Sequence, residues 1–172
     1  YVCVSFNQNI NNWVTGQVTD MSGMFTVCRD YNQPMDNWDV SQVIDMNLMF
    51  FRTNDFNQDL SNWQVGNVTN MARMFDECAI NFPLNDWDVS KVTDMNGMFS
   101  STPNFNQPLD QWDVSQVTNM ARMFEDARAF DQPLQDWDVS NVESMLGMFR
   151  SASTLSNVVF NQPLNNWTTT SA

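Results

Sequence analysis

The sequence predicts an α/β solenoid of about seven rungs, each a short parallel strand, a short helix and a turn. Three observations carry that expectation. The seven tryptophans recur at a nearly constant spacing. Apolar residues keep a fixed phase to each Trp. Small and turn-forming residues punctuate every unit at the same places.

The tryptophans are Trp13, Trp38, Trp63, Trp87, Trp112, Trp137 and Trp167, so the intervals are 25, 25, 24, 25, 25 and 30 residues. Five residues after Trp comes Val, from Val18 to Val142. Eight after it comes Met, from Met21 to Met145. Met-Phe follows, from Met24-Phe25 to Met148-Phe149. Seven before Trp sits an aromatic residue (Phe6, Tyr31, Phe56, Phe105, Phe130, Phe160), replaced once by Ile80. The idealised unit reads F-N-Q-P-L-x-x-W-D-V-S-x-V-T-x-M-x-x-M-F.

Each element has a reason. Trp and Val lie two apart in L-x-x-W-x-V, which places both on one face of a short strand. Gly16, Ser41, Gly66, Ser90, Ser115 and Ser140 follow as N-cap candidates, and Glu143 three after Ser140 completes a capping box. Val, Met and Met-Phe at offsets 0, 3, 6 and 7 form one apolar helical stripe. Asn-Gln-Pro then turns the chain. One rung cannot bury its own stripe, so the rungs must stack. Residues 1–172 form one array. One residue is missing between Phe75 and Ile80, and extra residues near 151–159 form a loop. Neither end reads as a polar cap, so the array is expected to pack end-on against further repeats or another subunit.

Composition narrows the function. The chain has 172 residues, 42% hydrophobic, with 20 acidic against 7 basic side chains and a net charge of −13. Without basic clusters, nucleic acid is excluded as a partner. With no His, imidazole triads and imidazole-ligated zinc are excluded. No apolar run is long enough to span a membrane.

The repeated unit, seen most cleanly in residues 31–50, 105–124 and 130–149, resembles the roughly 25-residue BspA-type surface-protein repeat. Departures are Val14-Thr15 for Asp-Val, Asp59 for Pro and Phe82 for Gln. The resemblance implies a leucine-rich-repeat-like solenoid displayed at the cell surface or secreted. It also implies adhesion or binding to a protein or glycan partner, without a catalytic residue. The alternative is a structural accessory subunit of a larger assembly, organellar or photosynthetic if the source is an alga.

The candidate sites follow from the same register. The Trp and Met columns are expected in the core. Asp39, Gln64, Asp88, Asp113 and Asp138 follow the Trp and would face outward as a partner-binding face. Asp86, Asp88, Asp113, Asp136 and Asp138 are calcium candidates, since stacked carboxylates supply the oxygens calcium prefers. No other cofactor is expected. Cys3 and Cys28 lie on adjacent rungs, so they alone could form a disulfide. A buried small-residue column is the competing reading, because Thr53, Cys78, Thr102, Ala127 and Ala152 share their register. Asn67 and Asn166 begin N-x-T sequons. Repeated carboxylates mark no unique pocket, so an enzyme is not expected.

Overall fold

The computed structural model of the chain describes residues 3–151 and 158–168. Rungs are numbered here from their leading residue: Phe6, Tyr31, Phe56, Ile80, Phe105, Phe130 and Phe160. Of the loop expected near 151–159, residues 152–157 lie outside those described.

The rungs stack, but they are not built as predicted. Among the described residues there is no helix, and strand pairing is reduced to single-residue parallel bridges. These bridges join Asp20, Asp45, Asn70, Asp94, Asn119 and Ser144 in one column. The α/β, leucine-rich-repeat-like solenoid of strand and helix is therefore corrected to a stack of rungs made of successive turns.

Rung 2 shows the construction. Trp38 N–H donates to the Met35 carbonyl at 3.1 Å, Val43 to Val40 at 2.9 Å and Met49 to Met46 at 3.1 Å. Thr53 donates to Phe50 and Phe56 to Thr53, each at 3.1 Å. Every link closes over three residues rather than the four of an α-helix. A helix is also blocked sterically. Leu48 and Arg52 have φ of 57° and 56°, and the matching residues Arg73 and Glu77 have 54° and 56°. A left-handed residue at every fourth position cannot belong to a right-handed helix.

The amides freed by this geometry hold the rungs together. Met46, Leu48, Phe50 and Arg52 donate N–H to the carbonyls of Asn70, Ala72, Met74 and Asp76, at 2.9–3.0 Å. The residues between them bond within their own rung. The Ser and Gly column caps nothing: Ser41, Ser90, Ser115 and Ser140 donate their amides to the Asp two residues earlier. Glu143 donates its amide to the Thr118 carbonyl at 2.8 Å and completes no capping box.

The core lies inside the coil and is columnar. Phe25, Phe50, Phe75, Phe99, Phe124 and Phe149 stack at 5.4–5.8 Å between ring centroids. Phe50 also packs on Phe56 at 4.1 Å. Met46, Met71, Met95 and Met120 are fully buried beside them. Burying each such side chain contributes on the order of 1.5–3 kcal/mol.

The polar corner is equally regular. Asn32 Oδ1 accepts the Asn57 amide and Gln58 Nε2, and Asn106 Oδ1 accepts the Asp131 amide and Gln132 Nε2. The Phe-Asn-Gln motif therefore supplies one core ring and two links to neighbouring rungs.

Candidate functional site

The segment after Trp is a turn, not a strand, yet it still alternates inside and outside. Trp63 and Val65 are buried while Gln64 is exposed, and Asp39, Asp88, Asp113 and Asp138 are exposed in the same column. Each of these aspartates is fixed locally. Asp88 Oδ1 accepts the Ser90 amide at 3.1 Å and the Ser90 hydroxyl at 2.6 Å. Asp39, Asp113 and Asp138 accept the amides of Ser41, Ser115 and Ser140 at 3.0 Å. An Asp bonded to backbone two residues on forms an Asx turn, which orients the carboxylate.

At three of these positions the same bonds favour the ionised form. The side chains and amides of Ser41, Ser90 and Ser140 hold Asp39, Asp88 and Asp138 below the usual carboxylate range. For Asp39 and Asp88, space is made by a glycine on the preceding rung. A Cβ on Gly66 would lie 2.8 Å from Asp88 Oδ2, and one on Gly16 would lie 2.8 Å from Asp39 Oδ2. The result is a fixed row of negative charge. Beside it, Ser61, Asn62, Gln64, Asp86 and Asp88 contribute to a groove of about 220 Å³.

The calcium candidates are not brought into one site. Among the described residues, no group of three or more His, Cys, Asp or Glu is placed to hold a metal ion. Asp136 instead accepts Asn166 Nδ2 at 3.4 Å.

Cys3 and Cys28 are joined in a disulfide, with Cα atoms 4.6 Å apart. Cys78 occupies the same column two rungs on. It is buried and free, and its Sγ lies 3.4 Å from the Phe56 carbonyl. Burial pushes its thiol up to about 12. The sequon Asn67 is exposed, but both ends of its amide are engaged. Nδ2 donates to the Ser41 carbonyl at 2.9 Å, and Oδ1 accepts Lys91 Nζ at 2.7 Å. Asn166 is also exposed.

The Trp column is structural. Trp38, Trp63, Trp87, Trp112 and Trp137 are buried, and each indole N–H donates to a carbonyl in the preceding rung. At the two ends, Trp13 is 51% exposed and Trp167 is half-buried, its indole N–H donating to the Leu134 carbonyl at 2.8 Å.

One feature was absent from the sequence-based candidates. On the side of the left-handed residues, Arg73 pairs with Asp76, Arg122 and Arg150 with Glu125, and Arg52 with Glu77. Burial raises the Asp76 pKa despite Arg73. The sequence signal for this face was the uneven column Gly23, Leu48, Arg73, Gly97, Arg122 and Gly147, all at positive φ.

Among known proteins, the model of the family described as "Mycoplasma protein of unknown function, DUF285" matches residues 1–85 and 76–172. That match is consistent with a BspA-like repeat family. No curated protein and no solved structure matches the chain. Among the described residues, no helix is long and apolar enough to cross a membrane.

Proposed function

The chain belongs to the DUF285 family, and from that premise we propose that it is a non-enzymatic binding module of a cell-surface or secreted protein. Its partner is a protein with a basic surface, taken up by the acidic turn face. The observation that carries this reading is the exposed column Asp39, Asp88, Asp113 and Asp138, each fixed by the amide two residues on. Carboxylates already oriented lose little freedom on binding, and complementary charge speeds and orients association. The Cys3–Cys28 disulfide supports display outside the cytosol, because such bonds persist in oxidising compartments.

The test is binding of an octalysine peptide to the immobilised chain over a range of salt. The triple variant Asp88→Asn, Asp113→Asn, Asp138→Asn should weaken binding at least tenfold. A control triple elsewhere, Asp30→Asn, Asp36→Asn, Asp55→Asn, removes the same net charge and should weaken it far less. Equal losses in the two triples would reduce the face to ordinary net-charge attraction.

A further inference from the structure

We infer that a groove across rungs 2 to 5, on the side of the left-handed residues, binds a neutral, hydroxyl-rich ligand of the class of an oligosaccharide segment. A departure from the repeat and a side-chain notch meet there. Rung 3 lacks one residue between Phe75 and Ile80, where rungs 2 and 4 carry the full spacing from Phe50 to Phe56 and from Phe99 to Phe105. A depression of about 300 Å³ lies at that place, with Asn54, Ala79, Pro103 and Asn104 in its wall. The notch is at Gly97, which stands between Arg73 and Arg122 in the left-handed column. It opens a depression of about 280 Å³ flanked by those two arginines. Glu77 and Ser101 line both depressions, so the two adjoin.

The chemistry of the walls selects the ligand. Arg73 and Arg122 are already paired with Asp76 and Glu125 within their own rungs. Arg52 and Arg150 pair from outside with Glu77 and Glu125, so the four carboxylates Asp76, Glu77, Glu125 and Asp126 are matched by four guanidinium groups and the walls carry no net charge to hold an ion. An apolar ligand would cover charged groups without replacing their hydrogen bonds with water. Hydroxyl groups both donate and accept, which suits guanidinium N–H, carboxylate oxygen, and the amides of Asn54, Asn96 and Asn104 together. Ala79 and Pro103 offer a small apolar area for the C–H face of a sugar ring. This groove shares no lining residue with the groove beside the acidic column.

The decisive variant is Gly97→Leu. Leu48 holds the same column position at φ 57°, so this column takes a leucine, at the strain that any non-glycine residue carries at positive φ. Its Cβ would meet Arg73 Cγ at 3.2 Å, a flexible stem that must yield slightly, and the rest of the side chain would fill the notch. Gly23→Leu makes the same change in the same column in rung 1, where a Cβ meets only Thr26, away from the groove. The assay is native affinity electrophoresis of the full chain in gels containing galactomannan, glucomannan, xyloglucan or mixed-linkage glucan. Chondroitin sulfate serves as the anionic comparison. We expect retardation by at least one neutral polysaccharide, weakened at least tenfold by Gly97→Leu and unchanged by Gly23→Leu. Should Gly97→Leu fail to fold, one Asn inserted between Ala79 and Ile80 restores the regular spacing, fills the other depression, and should have the same effect. Retardation by no neutral polysaccharide, by chondroitin sulfate alone, or undiminished in the folded filled variants overturns the proposal. The triple variant Asp88→Asn, Asp113→Asn, Asp138→Asn should leave retardation intact; its loss there would place the glycan on the acidic face instead.

Discussion

The indole N–H of Trp112 donates to the carbonyl of Leu84, one rung back, at 2.8 Å. The same bond recurs from Trp38 to Ile10, Trp63 to Met35 and Trp137 to Leu109. The Trp column is thus a row of staples as well as a core. Its polar handle does in the turn segment what backbone pairing does at the bridge column.

Trp112→Ala is expected to cost roughly 3–5 kcal/mol, the range for truncating a large buried aromatic. Trp112→Phe keeps most of the ring and removes one of two donors to the Leu84 carbonyl, which retains the Trp87 amide at 3.1 Å, so the lost bond should cost about 0.5–1.5 kcal/mol. Denaturant melts of both variants decide this. An alanine loss below about 1 kcal/mol would mean the ring is not packed.

The stacking period and the identity of the core were legible in the sequence; the local conformation was not. Val43, Met46 and Met49 are spaced by three, and that spacing fits a run of three-residue turns as well as one helix face. The feature that separates the two is the left-handed backbone. Its residues include Leu48, Arg73, Glu77 and Arg122, which carry no glycine signal. Outward display of Asp88 and Asp138 was legible because inside–outside alternation survives in a turn. The groove was only half legible. The residue missing before Ile80 can be counted, but the opening at Gly97 depends on the side chains above and below it.

Tyr31 replaces Phe in a column of fully buried rings, and its hydroxyl is buried without a hydrogen-bond partner. Burial alone pushes it up to about 12. Tyr31→Phe removes the desolvated hydroxyl and leaves the ring stacked between Phe6 and Phe56. The variant should be more stable by about 1–2 kcal/mol. A melting temperature equal to or below wild type would show that the hydroxyl is satisfied in solution.

Asp88 makes part of the stability pH-dependent. Its folded pKa is depressed by the side chain and amide of Ser90. The folded state therefore binds this proton more weakly than the unfolded chain. The contribution is present above the unfolded pKa near 4 and is lost as pH falls through the lower folded value. Melting curves of wild type and Asp88→Asn should differ at pH 6 and converge toward pH 2. A difference that is constant with pH would mean the Ser90 contacts do not favour the carboxylate.

The cysteines should behave in opposite ways. The Cys3–Cys28 bond closes a 25-residue separation, for which the chain-entropy estimate is about 3–4 kcal/mol. In a quasi-one-dimensional array that effect stays near the first rung. Reduction should accelerate amide exchange in residues 3–30 and leave rungs 4 and 5 protected. Cys78, buried and with its thiol pushed up to about 12, should resist iodoacetamide at pH 8 until the chain is unfolded. Rapid alkylation of the native chain would contradict its placement in the core.

The corner ladder offers an internal comparison. Asn106 Oδ1 accepts two donors, the Asp131 amide at 3.0 Å and Gln132 Nε2 at 2.9 Å. Asn57 Oδ1 accepts the Asn81 amide at 3.0 Å, but Phe82 stands where the Gln would be and brings no second donor. Each lost bond at this exposed corner is worth about 0.5–1.5 kcal/mol. Asn106→Ala should therefore cost more than Asn57→Ala by about that amount. Phe82→Gln should supply the missing donor, and in that background Asn57→Ala should become as costly as Asn106→Ala. A double-mutant cycle on residues 57 and 82, read by denaturant melts, measures the coupling directly. Zero coupling would mean that water already serves Asn57 as well as Gln serves its counterparts, and that only the amide link holds the corner.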